Sequence, residues 1–353
     1  MPYAVNIHPN RISITPHINV DRSDWEPEKG TWVQDTEFYE RLYKISESSL
    51  ANLAIKGNPF IISKSGRRRL QDRIMSMYRL ATPRTINAEG RKLIYNFRCA
   101  FITLTLPAVQ MHEDKFIKSN CLNQLFVELR KHYNVENYVW KAELQLNENI
   151  HFHIIIDRFV SYYALRRRWN RILDKLGYVE RYASRMNRLG LDGYYRNARK
   201  YNPDISMAEC KLKYDKGCSD GWKNPNSVDV KVVKSDRDVV VYMSKYMCKP
   251  VIESPDNELT EDEERILERG KAFGRAWFCS RSLSRLRTAV KFTFSEIKDL
   301  LADVVAVGST RLFEGDYFKV YYFRYEDLSK RIRMFMRGWL MANAYADDYV
   351  FPV

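Results

Sequence analysis

The chain has 353 residues, with 58 lysines and arginines against 44 aspartates and glutamates, a formal net charge of +14. That length supports a sizeable core in one or two domains, and the positive excess points to a polyanionic partner. No run approaches about 18 consecutive apolar residues, which excludes a membrane-spanning helix. The chain also has no Gly-x-x-x-x-Gly-Lys-[Ser/Thr] loop, which argues against a nucleotide cofactor and an intrinsic helicase.

Residues 1–58 are of mixed composition, with turns at Trp25-Glu26-Pro27 and Gly30. Residues 63–80 predict an amphipathic helix rich in arginine, including Arg67, Arg68 and Arg69. Residues 99–106 predict a strand with Thr103 and Thr105 on one face, stopped by Pro107. A helix near 114–132 keeps Phe116, Ile117, Cys121, Leu122, Leu125, Phe126 and Leu129 at helical spacing. Residues 138–156 predict an antiparallel hairpin turning at Asn147-Glu148-Asn149, followed by a helix over about 162–176. Residues 183–226, with their glycines, asparagines and prolines, predict a long irregular insertion. A strand at 228–232 leads into a helix carrying Tyr242 and Tyr246; 253–264 is acidic, and the tail predicts a strand at 317–324 and a helix near 326–343.

The second strand of the hairpin reads Ile150-His151-Phe152-His153-Ile154. A period of two puts both imidazoles on one face, half of a divalent-metal site. Glu143 and Gln145 lie on the polar face of the partner strand, so either can supply a third ligand. An ordinary half-exposed strand is the alternative reading. Residues 242–249 read Tyr-Met-Ser-Lys-Tyr-Met-Cys-Lys, a Tyr-x-x-Lys unit repeated. On a helix Tyr242, Lys245, Tyr246 and Lys249 share a stripe of about 100° beside the apolar stripe of Val239, Val240, Met243 and Met247. A phenol there can act as a nucleophile while an adjacent ammonium steadies a phosphate. The plainer alternative is an amphipathic surface helix with snorkelling lysines. The basic run from Arg158 to Lys200 includes Arg166, Arg167 and Arg168, interleaved with Tyr162, Tyr163, Tyr178, Tyr182, Tyr194 and Tyr195. Arginines track phosphates and aromatics stack bases, whereas Trp169 reads as core.

Taken in order, Phe-x-Thr-Leu-Thr-x-Pro at 101–107, His-x-His at 151–153 and the doubled Tyr-x-x-Lys unit resemble the HUH endonucleases. More narrowly they resemble the two-tyrosine rolling-circle replication initiators of small single-stranded DNA phages and bacterial plasmids. Trp169-Asn170-Arg171-Ile172-Leu173 and Gly274–Ser280 are also similar to such initiators, and the resemblance covers roughly residues 60–290. One departure is the hairpin turn, which has no glycine where many relatives place one.

The resemblance implies an α+β fold, a palm of about five antiparallel strands with flanking helices and the histidines on the central strand. It implies sequence-specific nicking and rejoining of single-stranded DNA at a replication origin through a 5′-phosphotyrosine. Tyr242 and Tyr246 would be nucleophiles, Lys245 and Lys249 would neutralise charge, and His151, His153 and Glu143 or Gln145 would hold Mg²⁺ or Mn²⁺. Arg67, Arg68, Arg69, Arg166, Arg167 and Arg168 are the candidate DNA contacts. A host helicase and DNA polymerase are implied partners. The expected segments are an extension over 1–58, an endonuclease domain over 59–290 and an accessory region over 291–353. Six cysteines scattered singly and the lack of a secretory leader suggest the cytoplasm of a bacterial host. A relaxase or single-strand transposase with the same chemistry, and a non-catalytic nucleic-acid-binding protein, are the alternatives.

Overall fold

A computed structural model of the protein describes residues 3–8, 10–16, 25–26, 31–32, 64–81, 84–88, 91–97, 99–145, 147–233, 238–239, 242, 273–286, 289–292, 294–315 and 318–344. The strands in chain order begin with β1 (Tyr3–His8), β2 (Arg11–Pro16), β3 (Trp25–Glu26), β4 (Thr31–Trp32), β5 (Arg84–Ala88), β6 (Arg91–Phe97) and β7 (Cys99–Leu104). They continue with β8 (Tyr138–Leu144), β9 (Ile150–Ile156), β10 (Val228–Val233), β11 (Trp277–Cys279), β12 (Ala289–Phe292), β13 (Arg311–Gly315) and β14 (Phe318–Tyr322). Two compact units result, residues 81–279 and residues 1–80 with 280–353.

In the unit 81–279 the alternating segments pair as one antiparallel sheet in the order β10-β7-β9-β8-β11. The fold is α+β with a five-stranded antiparallel palm, as the resemblance implies, and the histidine strand β9 is central. Its period of two sorts the side chains between the faces. Phe152 and Ile154 turn to the helices, where Trp169 meets Phe152 edge-on at 6.4 Å and Phe126 stacks on Tyr138 at 3.7 Å. Trp169, expected in the core, is fully buried, and its indole N–H donates to Thr105 O at 2.9 Å. On the same helix, Tyr162–Asp174, Asn170 donates to Asn224 Oδ1 and Pro225 O at 2.7 and 2.9 Å. The Trp-Asn pair therefore latches the end of β7 and the approach to β10.

The expected helix near 114–132 is a short α-turn at Asp114–Phe116, a π-helical stretch at Ile117–Leu122 and a helix at Asn123–Tyr133. From the π stretch buried Lys118 donates to Phe273 O and Arg275 O at 2.6 and 2.9 Å, fixing the approach to edge strand β11. Burial pulls its ammonium down to about 7, with Asp114 opposing and Lys115 assisting.

The turn closing β8 onto β9 explains how the hairpin does without glycine. Glu148 takes the left-handed conformation at φ 61, which costs a residue bearing a Cβ about 1 kcal/mol. Gln145 N donates to Asn149 O at 2.9 Å and Glu148 N to Gln145 O at 2.8 Å, so two backbone bonds close the turn. Glu148→Gly is expected to raise the unfolding free energy by about 0.5–1 kcal/mol, read as a higher urea midpoint at unchanged m-value. A lower midpoint would mean that the Glu148 side chain stabilises more than its backbone strain costs.

At the open end of the hairpin Asp157 Oδ2 accepts from Asn137 N and Asn137 Nδ2, both at 3.0 Å. Burial raises its carboxyl to about 6, against the Asn137 hydrogen bonds and with help from Glu136. Because the folded value lies above the unfolded one, the contribution to stability is full below about pH 4 and is lost as pH rises through 6. The loss amounts to about 3 kcal/mol at most. Between about pH 4.5 and about pH 7.5, Asp157→Asn should gain stability relative to the parent chain by up to that amount. A pH-independent gap in urea unfolding would contradict this.

The insertion over 183–226 is a correction to the sequence reading. It contains helices Tyr178–Arg199, kinked at Gly190, and Met207–Ser219, N-capped by Ser206. Their shared core is aromatic: Tyr182, Tyr194 and Tyr214 surround Trp222 at ring distances of 6.3, 5.6 and 5.5 Å. Glycines and polar residues mask the helical period, and the rings find their partners only across the two helices. Of the base-stacking candidates, Tyr178 is fully buried, and half-buried Tyr182 and Tyr194 pack their rings against Trp222.

In the other unit a second antiparallel sheet has the order β12-β1-β2-β14-β13. It joins strands from the first 16 residues to strands beyond residue 288, across the segments that the sequence reading kept apart. Val5, Ile7, Ile12, Val304, Phe323, Leu328, Ile332 and Met336 form its core. Helix Lys64–Leu80 belongs to this unit and ties to the β1–β2 turn through a two-pronged Arg11–Asp72 pair at 2.7 Å. No helix among the described residues is long and apolar enough to cross a membrane.

Candidate metal centre and its tyrosine

The antiparallel register sets Glu143 opposite His151 and Lys141 opposite His153, so all four side chains share one face of the palm. Thr103 is opposite His153 on the other flank. One ligand atom from each of Glu143, His151 and His153 lies within 4.8 Å of the others. Three such donors can hold a single divalent cation once the ion takes the place of the direct His153–Glu143 hydrogen bond. His153 is oriented on both nitrogens, with Nε2 on Glu143 Oε1 at 2.6 Å and Nδ1 near Thr103 Oγ1 at 3.4 Å. Nδ1 of His151 is buried and has no hydrogen-bond partner among the described residues. An orphaned imidazole nitrogen beside a carboxylate is what a ligand set without its ion presents.

The electrostatics keep Glu143 and His151 deprotonated. Burial works against the Glu143 carboxylate, but the His153 hydrogen bond and the charges of His153, Lys141 and His151 outweigh it and hold the carboxyl at about 2. Burial, and then the His153 charge, depress His151 to about 4 despite Glu143. At neutral pH the cluster is thus a carboxylate beside a neutral imidazole, ready for a cation without proton release at either group. Lys141 is 2 % exposed and its ammonium lies 3.3 Å from Glu143 Oε2. Lys141 shares this face of β8 with Glu143, and edge strand β11 pairs along that flank with Trp277 opposite Lys141.

Gln145, the other candidate third ligand, lies one residue beyond the end of β8, and its backbone closes the turn. Phe101, on the same face of β7 as Thr103, stacks on His153 at 5.6 Å and on Tyr242 at 4.6 Å, nearly parallel to the latter. The first tyrosine of the doubled unit therefore joins a ring stack that ends on a candidate ligand. Lys245, Tyr246 and Lys249 lie outside the described residues, as does the acidic stretch 253–264.

A family model described as replication-associated protein ORF2/G2P matches residues 99–251. Over those residues, fewer than half of the chain, the protein is similar to the replication-associated protein ORF2/G2P family. No curated protein and no solved structure gave a significant match. The ORF2/G2P match runs from the first residue of β7 to just past the doubled tyrosine unit, so it contains all three motifs and is narrower than the resemblance at both ends.

The six candidate DNA-binding arginines fall into different settings. Arg68 and Arg69 are exposed on helix Lys64–Leu80, outside the ORF2/G2P segment, with Arg67 half-buried beside them. Arg167 is exposed on helix Tyr162–Asp174. Arg166 is held by Pro225 O at 2.9 Å, Tyr162 Oη at 3.1 Å and Asn224 O. Arg168 pairs with Glu128 at 3.0 Å, and Arg171 reaches the same carboxylate oxygen at 2.5 Å. Arg166 and Arg168 are thus bonded within the protein from half-buried positions.

Proposed function

We propose that the unit 81–279 is a rolling-circle replication initiator's endonuclease, nicking and rejoining single-stranded DNA at an origin. The observation that carries this reading is the stack His153–Phe101–Tyr242, which joins the tyrosine motif to the face bearing Glu143, His151 and His153. The ORF2/G2P match supports replication over a relaxase or transposase role.

Glu143, His151 and His153 would hold Mg²⁺ or Mn²⁺, mixed imidazole and carboxylate donors suiting Mn²⁺ well. When bound, such an ion polarises the scissile phosphate and stabilises its developing charge. Tyr242 loses its phenolic proton to solvent as its oxygen attacks phosphorus. The new P–Oη bond forms as the P–O3′ bond breaks; the bonding pair leaves on O3′, which takes up a proton. The products are a 5′-phosphotyrosine and a free 3′-hydroxyl that a host polymerase extends behind a host helicase. The phosphodiester energy stays in the covalent link, so rejoining needs no nucleotide. Tyr246, four residues on from Tyr242, is the second nucleophile for the regenerated origin, and Lys245 and Lys249 neutralise the phosphate and phenoxide. Thr103 orients His153, and Phe101 holds the tyrosine ring by stacking.

The test is a denaturing gel of purified protein with single-stranded oligonucleotides tiled from its own genome, with Mg²⁺, Mn²⁺ or EDTA. A metal-dependent covalent adduct mapped to Tyr242 or Tyr246 supports the endonuclease. Binding without an adduct on every oligonucleotide supports a non-catalytic DNA-binding protein.

A further inference from the structure

The helix Tyr178–Arg199 carries Arg181, Arg185 and Arg188, spaced by four and then three residues, on one face. All three are exposed. With Ser184, Ala108 and Val109 they line a groove of about 270 Å³ that has no acidic residue in its wall. Arg185 is steadied at the mouth by a 3.3 Å bond to Pro107 O and by the face of Tyr182. Three like charges within two helical turns repel one another unless an anion lies between them. They span about 10 Å along the helix, a linear array suited to successive charges.

The opposite wall of the groove is built into the histidine hairpin. Asn149 donates to Ala108 O at 2.9 Å and accepts from Gln110 N at 2.8 Å, while Ile150 N, next to His151, donates to Gln110 Oε1 at 2.7 Å. Tyr178, the first residue of the arginine helix, accepts from Met111 N and His112 N at 3.1 and 3.3 Å. Arginine face, loop and histidine strand are therefore one bonded assembly. On the far side of Val109 the neighbouring depression is acidic, lined by Glu113, Asp114 and Glu148. A polyanion crossing this loop is repelled there and attracted to the arginine side.

We propose that Arg181, Arg185 and Arg188 form a phosphate track that holds successive backbone phosphates of single-stranded DNA beside the hairpin that carries the candidate metal ligands. The assignment of the strand as a nicking substrate rests on the function proposed above; the binding does not. Arg166 and Arg168 are already engaged by the protein and leave this role to the groove.

The test is fluorescence anisotropy of a labelled single-stranded oligonucleotide in EDTA over a series of salt concentrations. For the triple variant Arg181→Gln/Arg185→Gln/Arg188→Gln the slope of log K against log [salt] should become shallower by about 2, since each neutralised phosphate of a single strand adds about 0.7 to it. Affinity at low salt should fall by about 10- to 100-fold. The triple Arg→Lys variant should keep the slope. Lys211→Gln/Lys216→Gln/Lys223→Gln removes as many exposed charges from the same unit and should leave the slope in place. An unchanged slope in the arginine variant, or an equal drop in the lysine control, overturns the track. Adduct formation by the parent chain is scored separately: its absence ends the nicking reading and leaves the binding result standing.

Discussion

Replacing both tyrosines, Tyr242→Phe with Tyr246→Phe, is expected to abolish the covalent protein–DNA adduct, a loss of about 10³-fold or more in single-turnover nicking. Phenylalanine keeps the ring that stacks on Phe101, so the fold and DNA affinity should persist while the attacking oxygen is gone. Each single variant retains one phenol, and comparing the two identifies which acts first. An undiminished adduct in the double variant would place the nucleophile elsewhere. Phe101→Leu supplies a graded control: an aromatic stack contributes about 0.5–1.5 kcal/mol beyond its area, so nicking should slow by up to about tenfold while metal binding remains.

The second large effect concerns the cation. His151→Ala removes the imidazole whose Nδ1 has no partner among the described residues, and Glu143→Gln removes the carboxylate between Lys141 and His153. Losing a direct ligand should weaken Mn²⁺ binding by at least about 100-fold, since even outer-shell partners account for about 10–100-fold. Isothermal titration calorimetry with Mn²⁺ alone reads this without any DNA. Metal-dependent nicking should vanish in parallel. A His151→Ala protein that binds Mn²⁺ and nicks as before would show that the cluster is not the metal site. Because Glu143 and His151 are held at about 2 and about 4, the parent chain should bind the ion at neutral pH without proton uptake or release by either group.

Much of the palm was legible from local pattern. Alternation over 138–144 and 150–156 indicated the hairpin, its faces and two imidazoles beside a polar strand face carrying Glu143 and Gln145, because a period of two fixes the faces once one of them is apolar. The helices at 64–80 and 162–174 followed from their apolar stripes, and Trp169 from its place in one of them. Glu143 comes together with the histidines through the register of β8 on β9, whereas the left-handed turn at Glu148 is a conformation that residue identity did not announce.

What local pattern could not reach depends on segments distant in the chain. The strand order, the pairing of β11 alongside Lys141 and the stack of Tyr242 on Phe101 each join residues whose meeting is decided by loop closure and packing, not by periodicity. The insertion over 183–226 is helical because Trp222 gathers three tyrosines, a core invisible to any sequence window. Arg166 and Arg168 are taken up by Pro225 and Glu128, while Arg181, Arg185 and Arg188 face an open groove, although the sequence shows all five as equal members of a basic run. The sequence by itself determined the chemistry on each strand and helix, because side-chain direction follows from backbone period. The tertiary structure alone decided which of those groups meet, because pairing, desolvation and charge neutralisation act between elements that no local pattern connects.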